Sequence, residues 1–596
     1  MQSGFEMTTG SKGAGIVLAA ATLAPMLVAF NLPPSPTFLN QALANGLWGA
    51  SVALLASGAS SERWRDAIRD SALLAAALTV LGVMTAASVL RSHLPPAIAT
   101  SMVASLAGAM LVVWSGSSAG ARKLTTAHFL PFLWGLAGAG VLSGLIALVQ
   151  VFAPDWADGD TIARSALPGR AVGNLRQPNH LASLLLWSII ATIGLYELRR
   201  LGRAACAVAY AFLAFAVVLT GSRTGALGVL VLTAWGLCDR RLSRATRGLL
   251  VAAPLIYTLG WLATWFWANA GGHVFGAESR MGLQSGGDIS SSRFAIWSNA
   301  WAMTLREPLL GVGPGEFNLA WTLSEFPNRP VAFFDHTHNL LVQLAVELGL
   351  PVAFAVAGLL ALALHRAWQR GWRTADEQGS VQRTAFMLVL MACLHSSLEY
   401  PLWYAHFLLP CMYAWGFALT RSGANERTTV DATDRPPLMR SGPMAAAGLT
   451  MLLVAAASVF DYHRIAIIYE PPAHAAPLEE RIARGQRSLL FAHHADYAAA
   501  TAFGEPKAPL SESQLLAFQR APHHLLDIRL MIAWAQALAA QGEVDKARWL
   551  VARIREFRNP GADEFFEPCA DAARATRNFQ CQAPQRSYHW REFTTR

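Results

Sequence analysis

Thirteen apolar stretches dominate this chain: 13–32, 41–59, 71–90, 97–115, 128–153, 181–198, 204–220, 224–238, 249–269, 338–364, 384–400, 402–420 and 442–461. A helix that crosses the hydrocarbon core of a bilayer needs roughly 20 predominantly apolar residues. Inside that core each segment must satisfy its own backbone hydrogen bonds, so spanning segments are helices or closed barrels. The chain therefore reads as an all-α polytopic membrane protein of about 12–13 transmembrane helices, the short 224–238 stretch and the hinge near Pro401 being the marginal ones. Charged residues make up only 14% of the 596, against about 25% in soluble domains. The formal net charge of +9 reflects the Lys/Arg bias of cytoplasmic loops. No basic tract with interleaved aromatics is present, and no nucleic-acid partner is expected.

Orientation follows from the connections. "MQSGFEMTTGSKGAG" leads into a first apolar stretch with no small-residue cleavage site after it, so that stretch reads as a retained span. With the N-terminus inside, one side receives "SERWRDAIRD", "GARKLTT", "ELRRLGR", "DRRLSRATR", "HRAWQRGWR" and "TRSGANERTTVDATDRPPLMR", each with two or more Lys or Arg. The other side receives "NLPPSPTFLN", "RSHLPP" and the turn near Pro401, which together hold one Lys or Arg. The same alternation puts loops 154–180 and 270–337, "TGSRTG", "LEYPLWYAH" and everything after about residue 462 outside. Three regions are expected: N-terminal spans over 1–153, a transmembrane core with its two outer loops over 154–465, and a soluble helical region over 466–596. Within the last, 531–557 has the spacing of one tetratricopeptide-like pair or an ordinary helical hairpin. Cys569 and Cys581 are the only cysteines of that polar region, and a location outside the cytoplasm favours their pairing. The other four cysteines lie in apolar segments and read as small buried hydrophobes.

The ionisable groups collect at the outer face. Arg170, Arg176, Arg223, Arg280 and Arg293 stand where Lys and Arg are normally scarce. Guanidinium forks suit phosphate, so the set suggests a diphosphate ligand; the alternative is snorkelling to lipid headgroups. In "NLRQPNHLA", Pro178 disfavours helix at Gln177, which leaves Asn179 to cap a span beginning at His180. Asn174 and Gln177 are neutral hydrogen-bonders suited to sugar hydroxyls. In "DHTHN", Asp335, His336, His338 and Asn339 border an apolar run, and His338 is expected in its first turn. Two imidazoles two residues apart diverge on a helix, where chelation of one metal needs a spacing of four, so no metal is expected there. A single well-placed His suits a general base or an orienting hydrogen bond. Glu399, His395 and Tyr404 lie in or beside "HSSLEYPLWYAH", among aromatics that also read as an interfacial belt.

The ordered series "AVGNLRQPNHLA", "TGSRTGALG", "SSRFAIWSNAW…PLLGVGPGEF", "HTHNLLVQLAVELGLP" and "LEYPLWYAHFLLP" resembles bacterial O-oligosaccharyltransferases of the pilin-glycosylating (PglL) type, within the O-antigen ligase and polymerase superfamily. The likeness covers about 165–420, and the His-Asn-x9-Gly element of the ligase branch is met by His338, Asn339 and Gly349. The resemblance implies a GT-C-type fold and a metal-independent enzyme without cofactor. It implies a glycan donor carried on undecaprenyl diphosphate in the inner membrane, and transfer to Ser or Thr hydroxyls of a periplasmic protein such as pilin. By position, His338, Gln177 and Tyr404 match residues required for activity, and Arg170, Arg176, Arg223 and Arg293 match the diphosphate-binding set. His180, Asn174, Asp335, His336, Asn339 and Glu399 stay further candidates. O-antigen ligase, with lipid A-core as acceptor, and O-antigen polymerase are the nearest alternatives; a transporter would more often show internal repeats.

Overall fold

A computed structural model describes residues 9–57, 61–120, 125–279, 289–331, 333–421, 442–506 and 509–594. Among these, regular structure is helical throughout, with no strand. Among these residues, each of the thirteen apolar stretches overlaps helix. Six helices are long and apolar enough to cross a bilayer unaided: Ala72–Arg91, Pro96–Gly120, His128–Phe152, Pro178–Glu197, Leu350–Arg373 and Gly442–Tyr469. A bent pair, Arg244–Val251 and Ala253–Gly271, meets at 44° and makes a seventh if taken as one broken span. Gly13–Leu27, Arg203–Leu219, Arg223–Cys238 and Ala405–Ala418 are apolar but short, and Phe38–Ser57 and Glu377–Ser396 are diluted by polar side chains. Fewer spans than expected therefore stand on length and composition alone, although the helices themselves are present.

The expected 338–364 stretch is two elements. Leu340–Leu348 ends at Gly349, and Leu350–Arg373 follows as a separate helix. Gly349 has φ +75°, and a Cβ there would lie 2.4 Å from the Leu309 carbonyl carbon. Only glycine meets both demands. The break is what lets Leu350 donate its backbone N–H to the Pro308 carbonyl at 2.7 Å.

The chain divides into two compact units. The first comprises residues 1–78, 107–284 and 359–457. Its central helix is Pro178–Glu197, with 89% of its apolar window buried, packed against Thr125–Phe152, Arg203–Leu219 and Glu377–Ser396. By contrast, only 22% of the corresponding window of Gly442–Tyr469 is buried, leaving an apolar face suited to lipid.

The second unit comprises 79–106, 285–358 and 458–596. It joins Ile289–Arg306, Phe317–Leu323 and Leu340–Leu348 to the C-terminal helices. Within it, Ile528–Ala540 and Val544–Phe557 form the helical pair read in the sequence, joined through a turn at Gly542. The pair is tied to 316–329 by buried polar bonds. His523 Nδ1 bonds Glu316 at 2.8 Å, the Asn318 side-chain oxygen accepts from Leu526 N at 2.8 Å, and Trp549 Nε1 donates to Leu323 O at 3.1 Å. Arg329 Nε donates to Glu556 at 2.9 Å, and its guanidinium lies 4.6 Å from the Phe557 ring centroid. Cys569 and Cys581 are joined, with Cα atoms 5.3 Å apart.

Candidate functional site

The site residues fall into two constellations, one in each unit. In the first, Gln177 rather than Asn179 caps the Pro178–Glu197 helix, accepting from His180 N at 2.7 Å. Pro178 is the reason. Proline is pre-organised for the first helical position, and its missing N–H is one that a helix start leaves unpaired anyway. Gln177 is extended, as a residue before proline is expected to be, and the helix begins at Pro178, two residues before the His180 start that a cap at Asn179 implied.

Released from capping, Asn179 bridges three elements. Its amide donates to Glu399 at 2.9 Å, and its oxygen accepts from the Ser222 hydroxyl at 2.6 Å. Ser222 in turn caps the helix that starts at Arg223. Next along, the His180 ring packs edge-on to Tyr404 (centroids 4.8 Å) and against His395 (5.6 Å) and Phe407 (5.1 Å). His395 Nδ1 is 2.7 Å from the Ser183 hydroxyl. Gln177, His180, Glu399 and Tyr404 are therefore neighbours, with His180 and Glu399 buried and Gln177 and Tyr404 half-buried.

The arginines of this unit differ. Arg170 is buried and donates Nε to Thr220 O at 3.0 Å, pinning the outer loop to the "TGSRTG" turn. Arg176 and Arg223 are exposed. Arg176 sits at φ +57° and donates to Ala29 O at 2.9 Å; its left-handed backbone is uncommon for a branched-out cation and turns the chain into Gln177. Asn174 is a scaffold residue: its oxygen accepts from Ala163 N at 3.0 Å, while its amide donates to Leu27 O at 2.6 Å and Thr161 O at 3.0 Å. Gln150, which sequence reasoning passed over, supports the same loop by accepting from Val172 N and Gly173 N at 2.9 and 2.8 Å. A lone Gln inside an apolar stretch was the only signal for it.

In the second unit, "DHTHN" is an irregular segment and not a first helical turn. Asn339 caps Leu340–Leu348, accepting from Leu341 N at 3.0 Å and Val342 N at 3.2 Å. His338 lies just outside the helix at φ +54°, half-buried, with its ring edge-on to Phe334 at 5.3 Å. Its surroundings fix this backbone. Trp297 Nε1 donates to Thr337 O at 2.8 Å, Thr337 N donates to the Gln343 side chain at 2.8 Å, and Asn318 donates to Phe334 O at 2.9 Å. A bulky residue held in the left-handed region marks a position over-determined by its neighbours. Asp335 pairs with His336 at 3.1 Å. Its carboxyl is held down to about 2: partial burial opposes that shift, and the His336 and His338 imidazoles outweigh it. Arg293 is half-buried on Ile289–Arg306, the helix that also carries Trp297. Arg280 lies outside the described residues.

The glycine-rich "PLLGVGPGEF" loop closes on the far end of Leu340–Leu348. Val312 N donates to Val346 O at 2.9 Å, Gly313 N to Glu347 O at 3.0 Å, and Gly315 N to the Glu347 carboxylate at 3.0 Å. The His-Asn-x9-Gly element thus has a physical meaning. Asn339 starts a short helix, Gly349 ends it, and His338 is the residue aimed by its entry turn.

Three family models match the chain: O-Antigen ligase over 208–357, Virulence factor membrane-bound polymerase, C-terminal, over 384–564, and Protein glycosylation ligase over 171–195. The chain is 22% identical to a General O-oligosaccharyltransferase of Acinetobacter baylyi across 73% of each protein. It is 23% identical to a ComP-specific O-oligosaccharyltransferase of the same organism, a match that spans 44% of this chain and 46% of that relative. These matches relate the chain to the O-antigen ligase superfamily of multi-pass membrane glycosyltransferases and, within it, to protein O-oligosaccharyltransferases.

Proposed function

We propose that this relative of the O-antigen ligase glycosyltransferases moves an oligosaccharide en bloc from undecaprenyl diphosphate to a Ser or Thr hydroxyl of a periplasmic protein such as pilin. It would act at the periplasmic face of the bacterial inner membrane. The observation that carries the protein acceptor is the match of residues 171–195, the Gln177 segment, to a protein glycosylation ligase. In the reaction, the acceptor oxygen forms a bond to the anomeric carbon as the bond from that carbon to the diphosphate breaks. The lipid diphosphate departs with the electron pair. Attack opposite the leaving group inverts the anomeric centre; retention, read by NMR of the product, would remove that step.

The roles follow from chemistry. His338, rigidly aimed and half-buried, takes or orients the acceptor hydroxyl proton. In the first unit, exposed Arg176 and Arg223 stabilise the departing diphosphate without a divalent metal. Gln177 and Tyr404, gathered around His180, hold the glycan. Arg170 acts through the loop it pins.

A second reading, transfer to lipid A-core, is favoured by the O-Antigen ligase match over 208–357. One reconstitution separates them. Purified protein is given a lipid-linked oligosaccharide with either a pilin-like protein or lipid A-core, in chelator. Glycan on the protein, lost at least ~10²-fold in His338→Ala, is the expected result. Glycan on lipid A-core alone would make the enzyme a ligase. Full activity in His338→Ala would leave His338 a structural residue.

A further inference from the structure

Three histidines outside the site just described converge in the C-terminal region. His493 and His494 open the Ala492–Thr501 helix, and His524 follows the short Ala521–His523 turn. Adjacent helical residues point about 100° apart, yet the His493 and His494 rings lie 4.2 Å apart by centroid. His524 stands 4.0 Å from His493 and 5.1 Å from His494. One ligating nitrogen from each lies within 4.8 Å of the other two. His493 is 8% exposed, and its Nδ1 has no hydrogen-bond partner among the described residues. A buried polar nitrogen left so is costly in a purely structural cluster.

We propose that His493, His494 and His524 form a binding site for one borderline divalent transition-metal ion of the Zn2+ class. Three imidazoles without a thiolate suit Zn2+, Co2+, Ni2+ or Cu2+. Tetrahedral ligation at about 2.0–2.1 Å needs the three nitrogens roughly 3.3 Å apart, a contraction that side-chain rotation supplies. Neutral imidazole, the form that ligates a metal, is the ordinary state of a histidine above its usual pKa of about 6.5. Both segments are already anchored. Tyr469 donates its hydroxyl to the His494 carbonyl at 2.7 Å, and His523, beside His524, is bonded to Glu316.

The position has a consequence for the "DHTHN" segment. Asp335 and His336 both act electrostatically on His524. A dication among the three histidines would be attracted by the Asp335 carboxylate, which acts on His524, so the ion would couple the start of Ala492–Thr501 and the 521–524 turn electrostatically to the stretch that leads into His338. This inference is independent of which acceptor the enzyme uses.

The test uses the tag-free full-length protein in detergent, stripped with chelator and titrated with Zn2+, then Co2+. Expected are one Zn2+ per chain by elemental analysis, visible Co2+ ligand-field bands, and a raised melting temperature. His524→Gln, at the more open end of the cluster, and His493→Ala should each weaken uptake by at least ~10–100-fold. Elution at the wild-type volume shows that each variant is folded, and His524→Gln serves if His493→Ala is not. No stoichiometric uptake, or uptake unchanged in a folded variant, overturns the site; binding that survives every histidine substitution is an adventitious ion only.

Discussion

Asn179 does different work in the fold from the capping role its place in the sequence suggests. The sequence offers it as a cap, whereas the fold gives capping to Gln177 and uses Asn179 to join Ser222 to buried Glu399. Asn179→Ala should lower stability by about 1–3 kcal/mol, because it withdraws an amide from a buried carboxylate and an acceptor from a buried hydroxyl. A fall in thermal midpoint would show this, and an unchanged midpoint would remove the bridge from the argument. Asp158 gives a pH-dependent counterpart in the outer loop. Its carboxylate accepts from the backbone N–H of Asp160, Thr161 and Ile162 at 3.0, 2.8 and 3.0 Å. These bonds, Ile162's foremost, hold its pKa down to about 2 from an ordinary 3.8. A depressed carboxyl stabilises the folded loop above the ordinary value and loses that contribution as pH falls through about 2. Fluorescence of exposed Trp156 should therefore shift over that window in the wild type and stay flat in Asp158→Asn.

At the scale of the element, the Leu340–Leu348 helix matters through its two ends. Asn339 begins it, and Gly349 ends it against the Leu309 backbone. Gly349→Ala should cost roughly 2–4 kcal/mol, from left-handed strain and a backbone clash together. Gly358→Ala, in the next helix with nothing within 4 Å of the added carbon, should be neutral or stabilising. Equal melting temperatures for the two variants would contradict this account. The apolar run 338–364 was legible as membrane-like, but its break was not. Gly349 looks like any glycine until the Leu309 carbonyl is seen beneath it. The helix–turn–helix at 531–557 was legible because its apolar spacing and "QGEVD" turn are local signals. Its attachment to Glu316, Asn318 and Arg329 was not, because those partners lie some 200 residues away in the chain.

For the whole molecule, that attachment changes what a truncation would mean. Removing 466–596 takes His523 from buried Glu316 and Glu556 from buried Arg329, and removes the Phe557 ring that packs edge-on to Trp321. The truncated protein should lose activity together with protease resistance across 289–331. Normal resistance with lost activity would point instead to an acceptor-docking role. Placement outside the cytoplasm predicts that Cys569 and Cys581 resist alkylation in cells until reduced, and free alkylation of both would remove that placement. By itself the sequence determined the helical membrane architecture and the local motifs around Gln177 and His338. Those are carried by local composition and spacing, where the bilayer and the helix period act on neighbouring residues. Only the tertiary structure decided the rest: that Gln177 caps, that Arg170 and Asn174 hold loops in place, that His338 is set by an irregular turn, and that His493, His494 and His524 converge. Apart from the Gln177 cap, a contact three residues away, each of those depends on atoms from distant parts of the chain meeting within hydrogen-bond or van der Waals range, and no local pattern encodes that meeting.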